Sequence, residues 1–289
     1  MTTLRFTKGH GTENDFVLLF DERGETEVTP ALVRYLCERR AGIGGDGLIR
    51  AVRAGSLAAG AGFSPDAWFM DYWNADGTTS EMCGNGVRVF ARFLEREAGA
   101  DLSEGLAIGT RAGERTVTSL GDGRYAVGMG RWVVSADDAV VTAAGLMPPR
   151  LAQPVDVGNP HHVVALASVD ELEGLDLLEA PGVDPVPPAG SNVEFAVMLG
   201  IDEAAGESRG RVRMRVHERG VGETRSCGTG ACAVALAMHA WAGEASPTVW
   251  DIEVPGGEVT VRIEPNRTVL EGPAVLVADG VVDIPDSGI

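Results

Sequence analysis

Residues 228–243 read GTGACAVALAMHAWAG, and Cys227 stands directly before them. As a helix from Gly228, this run is apolar nearly all round, and a helix without a polar face has to be enclosed. In a chain rich in strand-forming stretches, the natural enclosure is a strongly curved sheet wrapped around the helix. The same Cys-Gly-x-Gly opening occurs in SEMCGNGVRV (80–89), where GNGVRVFARFLEREAG (84–99) carries Val87, Phe90, Ala91 and Leu94 at helical spacing.

Cys83 and Cys227 are 144 residues apart in a chain of 289, and sliding one half over the other at about that offset produces further matches. Asn14 in GTENDF falls opposite Asn159 in GNPHHV, each in a polar turn leading into an apolar strand. Gly47 falls opposite Ser191-Asn192, and Asn74 falls opposite Glu218, each nine residues before its cysteine. Two pseudo-symmetric α+β halves are expected, with equivalent loops and helix starts facing each other across a cleft. Each half is expected to be a curved, mainly antiparallel sheet around a central helix.

Strand-like runs occur at residues 4–7, 16–20, 67–72, 124–129, 193–198, 211–217, 250–254 and 259–263. Thr29 and Pro30 suit the cap and first position of a helix to about Arg40, and Ser168 caps a shorter one near 170–175. The stretches 53–62, 180–190 and 202–210 read as surface loops.

The balance of 42 acidic against 24 basic residues gives a net charge of −18, which argues against nucleic acid or an anionic membrane as partner. The arginines are scattered, and Arg39-Arg40 reads as part of a solvated face. No run of eighteen apolar residues exists, and the N-terminal MTTLRFTKGHG lacks signal-peptide character, so a cytoplasmic location is expected. Four cysteines are too few for a disulfide scaffold, and their spacing suggests no metal site. Cys37 and Cys232 read as core residues. His10, His162, His217 and His239 read as structural.

A cysteine at a helix N-terminus sits beside unpaired N–H groups and the positive end of the macrodipole, which favour thiolate. The glycines after it let the backbone approach an anion such as a carboxylate closely. Two such sulfurs, one for each face of an α-carbon, are the acid–base pair that inversion requires, and the carboxylate-stabilised carbanion needs no cofactor. No common cofactor motif is present.

The motifs ADGTTSEMCGNGVRVFARF and HERGVGETRSCGTGACA, with GTENDF and GNPHHV, closely resemble those of diaminopimelate epimerase. The resemblance runs from about Lys8 to the C-terminal strands. It implies two domains, 1–130 with 275–289 returning to it, and 131–274, with the active site between them, and a homodimer. Its small-molecule substrate would be diaminopimelate. It also implies Cys83 and Cys227 as the two bases, nominally proton donor and acceptor, and backbone N–H groups of Gly84, Asn85, Gly228 and Thr229 on the reacting carboxylate. Asn14, Asn74, Asn159, Asn192, Glu218 and Arg219 would hold the ammonium groups and the distal carboxylate, with His161 beside the site. Where many members carry glutamine, this chain has Gly47, leaving that contact to backbone or water. Proline and hydroxyproline racemases are the nearest alternative, but they read MCGHG where this chain has Asn85. Phenazine-biosynthesis-type isomerases generally lack the paired cysteines. From a different class, a thiol redox switch would pair the same two cysteines.

Overall fold

A computed structural model describes residues 2–204, 206–243 and 246–285. The chain divides into two compact units, Met1–Val127 with Pro273–Ile289, and Gly128–Gly272.

In the first unit, the hairpin Thr2–Gly11 and Asn14–Phe20 is flanked by the C-terminal strand Val275–Ile284, antiparallel to Thr2–Gly11. Asn14–Phe20 runs parallel to Gly47–Arg53, which is antiparallel to Trp68–Asn74. Trp68–Asn74 lies parallel to Leu106–Thr110, followed by the antiparallel Gly113–Gly121 and Arg124–Gly130. Helix α1 (Pro30–Cys37) makes the first parallel crossover and α2 (Gly84–Ala98) the second.

The second unit repeats this order. Arg150–Asp156 and Pro160–Ala165 form the hairpin; Pro160–Ala165 is parallel to Asn192–Ala204, which is antiparallel to Glu207–Glu218. Glu207–Glu218 is parallel to Val249–Val254, followed by the antiparallel Gly257–Glu264 and Arg267–Pro273. Helices α3 (Val169–Glu173) and α4 (Gly228–Ala242) occupy the two crossovers. The register repeats too: Phe16 pairs with Gly47 in the first unit, and His161 with Asn192 in the second.

Each long helix is wrapped by strands of its own unit. α2 packs on Thr2–Gly11, Asn14–Phe20, Gly47–Arg53, Gly113–Gly121 and Val275–Ile284. α4 packs on Arg150–Asp156, Pro160–Ala165, Asn192–Ala204, Val249–Val254 and Gly257–Glu264, with Ala231 through Met238 all buried. Alanine at every second position from 231 to 237 keeps α4 thin enough for strands to close around it. No helix among the described residues is long and apolar enough to cross a membrane.

Three expectations from sequence give way. α1 stops at Cys37 rather than near Arg40, because Glu38 turns extended and its carboxylate takes the N–H groups of Arg40 and Ala41. Residues 202–210 are largely strand: Asp202 to Ala204 pair with Arg209 to Glu207, and Arg209 reaches Asp251 at 2.6 Å. Their polar character marks an exposed strand face rather than a loop. Within 53–62, Ala54–Ser56 and Ala58–Gly60 form short 3-10 turns, while Phe63 and Leu57 pack on Val52 and Phe69.

Candidate active site

Each unit carries a half-site at the start of its central helix. Cys83 is the N-cap of α2, in extended conformation, and its Sγ accepts the Gly86 N–H at 3.3 Å. Cys227 caps α4 in the same way, accepting the Gly230 N–H at 3.3 Å. Gly84 and Asn85, like Gly228 and Thr229, precede the first intrahelical bonds, Val87 N–H to Cys83 O and Ala231 N–H to Cys227 O. These first-turn N–H groups have no helical acceptor and point along the dipole toward the cap, the geometry that receives a carboxylate.

In the first half-site, Asn14 opens its strand and its Oδ1 accepts both the Cys83 thiol at 3.4 Å and Asn85 Nδ2 at 3.3 Å. Asn85 Oδ1 in turn accepts Arg88, whose fully buried guanidinium also reaches Thr12 in the preceding turn. Asn14 Nδ2 donates to Asp46 at 2.7 Å, and Arg39 bridges Asp46 and Asp15, each at 2.7 Å. Arg39 therefore supports the Asn14 turn rather than simply covering a solvated face. Asn74 ends the strand Trp68–Asn74 and donates to Thr78 Oγ1 at 3.1 Å, bracing the turn toward Cys83. Gly47 pairs with Asn74 and Phe16, and a β-carbon there would meet Trp73 O at 2.4 Å, so this backbone has no room for a side chain.

The second half-site is more polar. Asn159 Nδ2 donates to Thr229 Oγ1 at 3.5 Å, and Thr229 Oγ1 lies 3.5 Å from Cys227 Sγ. His161 Nε2 lies 2.9 Å from Asn159 Oδ1, and its Nδ1 lies 2.7 Å from Glu194 Oε1. Asn192 accepts the Arg219 N–H at 2.9 Å, while the Arg219 guanidinium donates to Ala189 O at 2.6 Å. Glu218 accepts the hydroxyl of Thr224, and the Cys227 thiol lies close to it.

Burial raises the Glu218 carboxyl above its ordinary range, partly offset by those two side chains. Burial, then the nearby charges of Glu218 and Glu194, push the Cys227 thiol well above its usual value against the opposing bonds from Thr229 and Gly230. These effects favour the neutral thiol over the thiolate at Cys227. Burial likewise pushes the core cysteine Cys37 up to about 12.

The remaining histidines serve local structure. His10 accepts the Glu13 N–H at 3.2 Å, His217 and His239 bond backbone carbonyls of Leu177 and Pro247, and His162 contacts Ser191. No group of three or more His, Cys, Asp or Glu side chains among the described residues is arranged to hold a metal. Sequence reading missed Asp46 and Glu194. Glu194 had a signal: it lies two residues after Asn192 on one strand and thus faces the same way.

The duplicated α+β fold is shared with solved proteins of low sequence identity. A PhzF-family phenazine biosynthesis protein from Enterococcus faecalis superposes with a TM-score of 0.66 at 13% identity, covering 98% of this chain and all of that one. A probable proline racemase from Agrobacterium radiobacter gives 0.65 at 14%, covering 98% and 93%. Within that fold, the chain belongs to the diaminopimelate epimerase family, whose sequence model matches residues 6–134 and 154–277. It is similar to the diaminopimelate epimerase of Streptomyces coelicolor, 45% identical over 98% of this chain and 96% of the relative. The Mycolicibacterium smegmatis enzyme is 44% identical over 96% of each.

Proposed function

We propose that this protein is an isomerase of lysine and peptidoglycan-precursor biosynthesis that interconverts LL- and meso-diaminopimelate, with Cys83 and Cys227 as its two acid–base groups and no organic cofactor. The observation that carries this reading is the duplicated cap: in each unit one cysteine closes the first turn of the central helix through the same 3.3 Å bond.

Inversion needs one acid–base group for each face of the α-carbon, and each unit supplies one. One sulfur, as thiolate, takes the α-proton; the C–H electron pair moves into the carboxylate, giving an enediolate. The other sulfur, as thiol, delivers its proton to the opposite face. The two sulfurs end each turnover with their protonation exchanged. N–H groups of Gly84, Asn85, Gly228 and Thr229 stabilise the charge that develops on the reacting carboxylate without reorganising. Cys227 is the donor in one direction and the base in the other, with Glu218 close beside it.

Arg219 supplies the cation for the distal carboxylate, with Asn14, Asn74, Asn159, Asn192 and Glu218 offering amide and acid groups for the two ammonium groups and that carboxylate. The two units serve as the two epimerase domains, divided near residues 130 and 274. The protein works in the cytoplasm as a homodimer.

The test is incubation of reduced protein with LL-diaminopimelate in deuterated water without pyridoxal phosphate. Meso product carrying solvent deuterium at the inverted carbon is expected, and Cys83→Ala and Cys227→Ala should each abolish inversion. Full activity in both variants would overturn the two-base reading.

A further inference from the structure

The two half-sites are built on one plan, and among the positions where they differ is one pair of buried core residues. In the first unit, Phe16 and Ile49 lie on neighbouring parallel strands under the start of α2, and both are fully buried. A β-carbon on Gly86 would touch Ile49 Cδ1 at 3.1 Å and Phe16 Cζ at 3.6 Å. The same strand registers in the second unit hold His161 and Glu194, also fully buried, and a β-carbon on Gly230 would lie 2.8 Å from Glu194 Oε1. The fold thus closes with an apolar pair here in one unit and a titratable pair in the other. Apolar pairs of matched size commonly leave stability unchanged or raise it relative to a buried ion pair, so packing alone does not call for His161 and Glu194.

Hydrogen-bond inventory says what the pair does. Glu194 Oε1 lies on His161 Nδ1, and its Oε2 is enclosed without a hydrogen-bond partner among the described residues. An enclosed carboxylate with one oxygen unsatisfied depends on a charged partner. On the other side of the ring, Nε2 faces Asn159 Oδ1 at 2.9 Å. Each ring nitrogen thus has an oxygen acceptor within hydrogen-bond reach. In that arrangement Asn159 Oδ1 turns to the imidazole and Nδ2 turns away, toward Thr229. Were Nε2 bare, the amide would rotate to donate to it and present its oxygen instead.

We propose that Glu194 is a positioning residue: through His161 it fixes the Asn159 amide so that the NH2 group, rather than the oxygen, is offered to the substrate. This rests on the epimerase reading, in which Asn159 donates to bound diaminopimelate. Other charged or titratable groups facing the pair are Glu218, Cys227 and His162.

Glu194→Gln keeps the size of the side chain and removes its charge. The KM for diaminopimelate should rise roughly tenfold or more, as for a lost hydrogen bond to a charged group, with kcat changing far less. Glu194→Asp should recover part of the loss. In an Asn159→Ala background, Glu194→Gln should add nothing further to KM. Nitrogen-15 NMR of the substrate-free protein, with His161 assigned by difference against His161→Gln, should show both ring nitrogens protonated in the wild type and one in Glu194→Gln. A double variant copying the first unit, His161→Phe with Glu194→Ile, should fold with a melting temperature no lower than the wild type yet bind substrate poorly, which removes a merely structural explanation. A bare Nε2 in the wild type, or an unchanged KM in Glu194→Gln, would overturn the proposal. The NMR measurement uses no substrate, so failure of the relay and failure of the epimerase reading are told apart.

Discussion

Asp15 shows how much of a half-site's order comes from residues that never reach the cap. Burial alone would raise its carboxyl, but hydrogen bonds and charge from Arg39 and Lys8 prevail and hold it well below the usual carboxylate range. Lys8 Nζ lies 2.5 Å from Asp15, and Arg39 continues to Asp46, which carries the Asn14 amide. A group whose folded pKa is depressed contributes stability that is present above its unfolded value and is lost as pH falls through the folded one. Asp15→Asn should therefore cost about 2 kcal/mol at neutral pH, the scale of charge-assisted hydrogen bonds. The gap to wild type should close as pH falls below about 4, the ordinary carboxylate value. Denaturant melts across that range decide it; a gap that does not change with pH would mean that the Lys8 and Arg39 pairing contributes nothing.

At the scale of the element, α4 is the most demanding piece of the chain. Its cap was legible because capping is local: a sulfur three residues before a glycine N–H, followed by an apolar run, is visible in ten residues of sequence. Its alanines carry the consequence. Ala235 is fully buried against the surrounding strands, whereas Ala240 is exposed near the helix end. Ala235→Leu should cost about 1–3 kcal/mol by overpacking, while Ala240→Leu should stay within about 0.5 kcal/mol. Comparing the two midpoints in urea tests whether the sheet is closed tightly on the helix. Among the strands, Gly47–Arg53, Leu106–Thr110 and Arg150–Asp156 were not readable. They are short, and each is specified by the partner strand that covers it rather than by its own alternation.

For the molecule as a whole, the net charge of −18 is the dominant long-range property. It favours solubility and repels polyanions, so no retardation of duplex DNA is expected in a gel-shift experiment at low salt; a shifted band would reveal a basic face. The duplication was visible at this scale as well, since paired cysteine motifs 144 residues apart need only be aligned. Strands curved around each central helix followed from periodicity and from the need to enclose an apolar helix, both encoded in neighbouring residues. What lay beyond reach was every partnership made across the fold. Arg39 bridging Asp15 and Asp46 and the approach of Glu194 to His161 join positions brought together by parallel crossovers, and the lack of room at Gly47 comes from Trp73 on its antiparallel neighbour. Hydrophobic period and helix caps act over a few residues and are written in composition. Which polar groups share one buried space depends on strand register, and register exists only once the sheet has closed.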